Sequence, residues 1–184
     1  MPAWLSKHWN IITSITLAAG AGWILLTAAL FGSETAPIRA PQKGFYAPDF
    51  SLADADGNRV TLSELRGQAV LINVWASWCP PCRAEMPAMQ RAYTDYAEAG
   101  FVILAINQTS QDSRVAALEF AAEHSLTFPI LFDDTGEASQ RYATSALPTS
   151  FFVDRAGVIQ EVVIGGPMSE ALLRARIEAL LEMP

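Results

Sequence analysis

The chain opens on an uncharged run of 21 residues, positions 11–31. At ~1.5 Å per residue this run spans a hydrocarbon core ~30 Å thick, so it predicts one transmembrane helix behind a short N terminus, 1–10. The competing reading is a signal peptide cleaved near Ser33 or Ala40. Its apolar core would be about 7–15 residues long and followed by a small-residue site, and no clean Ala-x-Ala follows here. Residues 32–44 then mix polar and apolar types around Pro37 and Pro41 without periodicity. They read as a tether.

From residue 45 to 184 the pattern becomes that of a domain large enough for an ordinary core. Residues 50–52 and 60–62 are short strand candidates on either side of the turn-rich 54–58, predicting a hairpin. Residues 69–75 and 101–107 are nearly continuous apolar runs of strand length, as expected for strands covered on both faces. Between them 80–98 predicts a helix, kinked at Pro87 and ended by Gly100. Helices are predicted over 111–124 and 135–142, with a strand at 129–132 between them. Residues 149–153 and 158–164 predict a closing hairpin. Ser169 then caps a helix running to about 181. Alternating strands and helices closed by a hairpin and a helix predict a mixed α/β sheet flanked by helices.

Charge narrows the function classes. The chain carries 12 basic and 19 acidic residues, a net charge of -7. Only Lys7, Glu34 and Arg39 of these lie in the first forty residues, so the acidity belongs to the domain. Phosphate backbones need a basic face, which argues against nucleic acid as a partner. Around the apolar run, Lys7 and His8 precede it, and Glu34, then Arg39 and Lys43, follow it. The positive-inside rule favours a cytoplasmic N terminus and a domain on the exported side.

Candidate chemistry centres on Trp78-Cys79-Pro80-Pro81-Cys82, which holds both cysteines of the chain. A disulfide between them closes so short a loop that stapling the fold explains it poorly. At a strand-to-helix junction, Cys79 meets unpaired N–H groups and the positive end of a helix dipole, which favour the reactive thiolate. The spacing supports a two-step exchange: Cys79 attacks a partner disulfide, and Cys82 resolves the mixed disulfide. Pro80 and Pro81 suit the first helical turn and stiffen the link between the sulfurs. Zinc normally needs four ligands, and besides this pair the chain has only His8 and His124. No cofactor is expected beyond the Cys79–Cys82 redox couple.

This segment resembles the active site of the thioredoxin superfamily, in particular the membrane-anchored TlpA, ResA and CcmG type. Ala47-Pro48-Asp49-Phe50 is similar to that family's opening segment, Leu147-Pro148-Thr149-Ser150-Phe151 to its cis-proline loop, and Glu85 to its acidic residue beyond the second cysteine. The resemblance runs from about residue 45 to the C terminus. It implies a thioredoxin-like fold, with an N-terminal hairpin and with 101–142 containing the family's central insertion. It also implies a cis Pro148 facing the sulfurs and a substrate platform of Leu147 and Pro148, with Trp78 as an apolar neighbour. On the residues alone Pro148 is an ordinary trans proline, Trp78 fits the core equally well, and Glu85 is a solvated acid favoured by a helix N terminus. The resemblance instead makes Glu85 a partly buried group that tunes the thiols or shuttles protons. Thioredoxin has a buried aspartate in the strand before the motif where this chain has Asn73. Ala146-Leu147-Pro148-Thr149 departs from the CcmG pattern and is closer to ResA and general TlpA-like proteins.

The expected function is that of an exported thiol reductant. It would reduce disulfides in exported proteins such as apocytochromes c and be recharged by a membrane thiol electron donor. A disulfide-inserting oxidant uses the same groups in the opposite direction. A Cu(I)-handling module for a respiratory enzyme would use the soft thiolates. Peroxide reduction shares the Ala47-Pro48-Asp49-Phe50 opening, but the threonine and proline that precede a peroxidatic cysteine are not matched around Cys79.

Overall fold

The computed structural model describes residues 38–183, together with 22 and 23. The anchor expected at 11–31 and the first part of the tether, 32–37, lie outside the described residues, apart from that pair. Among the described residues no helix is long and apolar enough to cross a membrane.

Seven strands form one mixed sheet in the order β2-β1-β5-β4-β3-β6-β7. They are β1 (Ser51–Ala53), β2 (Arg59–Thr61), β3 (Ala69–Trp75), β4 (Phe101–Asn107), β5 (Ile130–Phe132), β6 (Thr149–Val153) and β7 (Ile159–Ile164). The helices are α1 (Pro80–Tyr96), α2 (Arg114–Glu123), α3 (Glu137–Arg141) and α4 (Glu170–Leu181). β3, β4 and β5 run parallel, while β6 and β7 add antiparallel strands beyond β3. The N-terminal hairpin β1–β2 joins the far edge through Ala53 opposite Phe132.

The apolar run of β3 follows from burial on both faces: all seven of its residues are buried. Side chains alternate across a strand. Leu71 and Trp75 enter one core with Met86, Met89, Phe120 and Ile177. Val70, Ile72 and Val74 enter the other with Tyr142 and Phe151. By the same alternation Asn73 falls on the Leu71–Trp75 side, toward α1.

Element boundaries moved for local reasons. α1 passes through Pro87 and stops at Tyr96, where Ala97–Ala99 tightens into a 3-10 turn before Gly100 takes up a φ of 87°. α2 begins at Arg114, three residues later than its pattern predicted. Thr109–Gln111 forms a separate 3-10 turn, and the Ser113 side chain caps the helix at the Ala116 N–H. α3 ends with Ala143 at a φ of 48°, its N–H bonded to Gln140 O and that of Thr144 to Ser139 O. This is a Schellman closure with alanine in the left-handed position that glycine usually fills. Ser169 caps α4 as its position predicted.

Candidate active site

β3 ends at Trp75, and four residues later Cys79 is the N-cap of α1, with extended backbone at φ -85° and ψ 108°. Pro80 and Pro81 occupy the first helical positions, where their missing N–H groups cost nothing. Cys79 and Cys82 are joined as a disulfide with Cα atoms 5.3 Å apart. The Cys82 N–H donates to Cys79 Sγ at 3.3 Å, so the helix presents a donor to that sulfur. Both cysteines are buried, but only Cys79 borders a groove of about 350 Å³. Trp78, Pro80 and Pro81 line the groove on one side and Ala146 and Leu147 on the other.

The loop across the groove reaches β6 through a cis Leu147–Pro148 bond. Trp78 is 56% exposed, not core, and its indole N–H donates to Gln111 O at 3.0 Å. His124 packs its ring against Phe120.

Glu85 is 2% exposed. This overturns the reading of it as a solvated acid. The helix places it one turn past Cys82, facing inward. Its Oε1 accepts from Asn73 Nδ2 at 2.8 Å and its Oε2 from the Met168 N–H at 3.0 Å. Asn73 Nδ2 also donates to Ser150 Oγ, and Asn73 Oδ1 is buried without a partner. Burial pushes the Glu85 carboxyl above its ordinary value of 4.5, and the donors from Met168 and Asn73 pull it only part of the way back. Asn73, which replaces an acid in the strand, therefore holds one supplied by the helix. A second cis bond, Gly166–Pro167, brings the chain past this carboxyl. A Cβ on Gly166 would lie 2.8 Å from Pro148 Cγ and 3.0 Å from Glu85 Oε2, so this close approach requires glycine.

Sequence reasoning missed Asp112. Its Oδ2 accepts from the Ser77 N–H at 2.6 Å and from Asn107 Nδ2 at 2.7 Å, and its Oδ1 from Ser77 Oγ at 2.6 Å. The carboxylate thus ties the segment leading to Trp78 and Cys79 to the end of β4. Thirty-five residues separate Asp112 from Ser77, so no local pattern marks the pair. Burial raises the Asp112 carboxyl, but hydrogen bonds from Asn107, Ser77 and Ser113 outweigh it and hold the group below its ordinary 3.8. An acid depressed on folding contributes stability that is complete above 3.8 and is lost as pH falls through the lower folded value. Asp112→Ala is expected to cost about 2 kcal/mol at neutral pH, since it strands donors that a charged acceptor had satisfied. In urea unfolding, the gap between wild type and variant should close as the pH is taken below 3.8. A gap independent of pH would show that the carboxylate charge is not the stabilising element.

A mixed sheet flanked by helices, with a dithiol pair at a helix N terminus facing a cis-proline loop, defines a thioredoxin-like thiol-disulfide oxidoreductase. Residues 44–162 match the AhpC/TSA family, and the chain belongs to it. It is 42% identical over 161 residues to the thioredoxin-like protein YneN of Bacillus subtilis, covering 86% of this chain and 91% of that protein. It is 39% identical over 166 residues to the thiol-disulfide oxidoreductase ResA of Oceanobacillus iheyensis, covering 86% and 83%. Among solved structures, a Chlorobium tepidum protein described as a thiol:disulfide interchange protein DsbE superposes with a TM-score of 0.70 at 35% identity, over 76% of this chain and 98% of that one.

Proposed function

We propose that the protein is a membrane-anchored reductant of disulfides in exported proteins, apocytochromes c among them, acting on the extracytoplasmic side. The observation that carries this reading is the Cys79 sulfur at the N terminus of α1, bordering the groove that Leu147 closes. The uncharged run at 11–31 supports the anchor, and the likeness to ResA proteins supports thiol-disulfide exchange. In the forward reaction the Cys79 thiolate attacks one sulfur of the substrate disulfide. That bond breaks, and the departing thiolate takes up a proton. The Cys82 thiolate then attacks Cys79 Sγ and releases the second substrate thiol. Substrate gains two electrons and two protons, and Cys79–Cys82 becomes the disulfide. A membrane thiol donor restores the dithiol. Leu147 and Pro148 form the platform for an extended substrate, Trp78 provides an apolar contact at its rim, and Glu85, buried one turn past Cys82, tunes the thiols or shuttles protons during exchange.

The reduction potential of the Cys79–Cys82 couple tests the direction. Equilibration against dithiothreitol buffers with thiol alkylation is expected to give a value near or below ~-270 mV, that of a thioredoxin-like reductant. A value near ~-120 mV would identify a disulfide-inserting oxidant instead.

A further inference from the structure

The groove at Cys79 does not end at the dithiol. A second cavity of about 430 Å³ lies beyond it, toward α3. Gln108, Gln111 and Thr144 line both cavities, so the two are continuous. They share this polar seam and differ at their ends. The compartment at Cys79 adds the apolar side chains of Trp78, Pro80, Pro81 and Leu147. The one beyond is walled by amides and hydroxyls, with Gln140 on its α3 side. Neither is lined by any charged side chain, although the domain is strongly acidic.

The Ser139 hydroxyl of this extension already donates to Asp133 Oδ2 and that of Thr135 accepts from the Glu137 N–H, but its amides are unspent. The Thr144 hydroxyl is buried without a hydrogen-bond partner. Gln111 meets Trp78 through its main-chain carbonyl, not its side chain. Among the described residues the side-chain amides of Gln108, Gln111 and Gln140 make no hydrogen bond within the chain. Ala143, held at a φ of 48° on the rim, forms with Thr144 the turn between α3 and the Leu147–Pro148 loop.

Building on the proposed function, we infer that this extension is a substrate subsite that binds the polypeptide flanking the reacting cysteine through uncharged amide and hydroxyl contacts. Main-chain N–H and C=O groups require partners wherever they leave water, and a wall of neutral donors and acceptors supplies them without selecting for charge. A small disulfide occupies only the compartment at Cys79. A substrate chain whose sulfur sits at Cys79 continues past Gln111 and Thr144 toward Gln140. Glutathione fits less well, because its carboxylates find no cation along the groove.

The test compares reduced full-length protein, wild type and Gln140→Ala, in stopped-flow oxidation by three disulfides: a short uncharged peptide closed by one internal disulfide, glutathione disulfide, and bis(2-hydroxyethyl) disulfide. Gln140 is exposed on α3, away from the dithiol compartment, so the variant is expected to fold. Loss of one hydrogen bond should lower the peptide rate constant about three- to tenfold. The glutathione and bis(2-hydroxyethyl) rates should hold, so the ratio of peptide to small disulfide falls. An unchanged ratio overturns the subsite. An equal fall for all three disulfides also overturns it, because the effect then lies at Cys79. A fall for glutathione matching that of the peptide overturns the polypeptide assignment. Wild-type protein inert toward all three would refute the proposed function itself and remove the basis of the subsite.

Discussion

Cys79→Ser is expected to abolish thiol-disulfide exchange, with a rate loss of at least about 10³-fold, because an aliphatic hydroxyl near neutral pH supplies almost none of the anion that a thiol does. Cys82→Ser should behave differently. Cys79 alone borders the groove, so it still attacks substrate, and the mixed disulfide accumulates because no second sulfur resolves it. The difference follows from placement. Cys79 is the N-cap residue, with the Cys82 N–H aimed at its sulfur, whereas Cys82 has no exposed surface. Non-reducing electrophoresis with a disulfide-containing protein checks both variants. A covalent adduct with Cys79→Ser and none with Cys82→Ser would reverse the assigned roles.

Glu85→Gln is expected to speed alkylation of the reduced pair above the carboxyl's pKa and to move the thiol titration to lower pH. On neighbouring turns of a helix, side chains are about 5–6 Å apart. At an effective dielectric of about 20, a negative charge there opposes a Cys82 thiolate by about 3 kcal/mol, roughly a hundredfold in thiolate fraction, and acts less on Cys79, a further turn away. Removing that charge while keeping the shape should recover most of the factor. Stability supplies a second readout. The folded carboxyl has a raised pKa, so the folded state holds its proton where the unfolded chain has lost it. Stability therefore declines as pH rises from 4.5 toward the folded value. The glutamine variant lacks this slope, and its unfolding free energy should gain on wild type across that window and then level off. Neither sulfur nor stability should respond if Glu85 is an inert core residue. Measuring the thiolate absorbance and the urea midpoint across pH separates the two cases.

Much of this architecture was legible from local pattern. The apolar runs at 69–75 and 101–107 became β3 and β4 without a change of boundary, because a strand buried on both faces leaves a run and not an alternation, and the hairpin strand predicted at 149–153 became β6. The Cys79–Cys82 pair was equally plain, since its chemistry is written in four consecutive residues. The cis Pro148 was legible only by resemblance, as nothing local sets its isomer. The groups that arrange the site from a distance escaped altogether. Asp112 reaches Ser77 through a loop whose polar residues read as helix until Ser113 turned out to be the cap. Met168 reaches Glu85 across 83 residues, behind a Gly166–Pro167 bond that carried no sign of its isomer. Gln108 and Gln140 come from separate connections and meet only once β4 and α3 are in place.

β3 and β6 are antiparallel neighbours, with Val74 opposite Thr149. The chain leaves β3 for Cys79 at the same end where it enters β6 from Pro148, so one ladder of main-chain hydrogen bonds spaces the dithiol from the proline loop. Much of the amide-lined extension hangs from the opposite side of β3, on the connections that follow β4 and β5. Gln140 can be exchanged there without altering the spacing that the electron-transferring pair depends on, whereas Asp112 and the Leu147–Pro148 bond, on the same two connections, cannot. Residues that face the extension and residues that hold the redox site thus interleave along the same stretches of the gene.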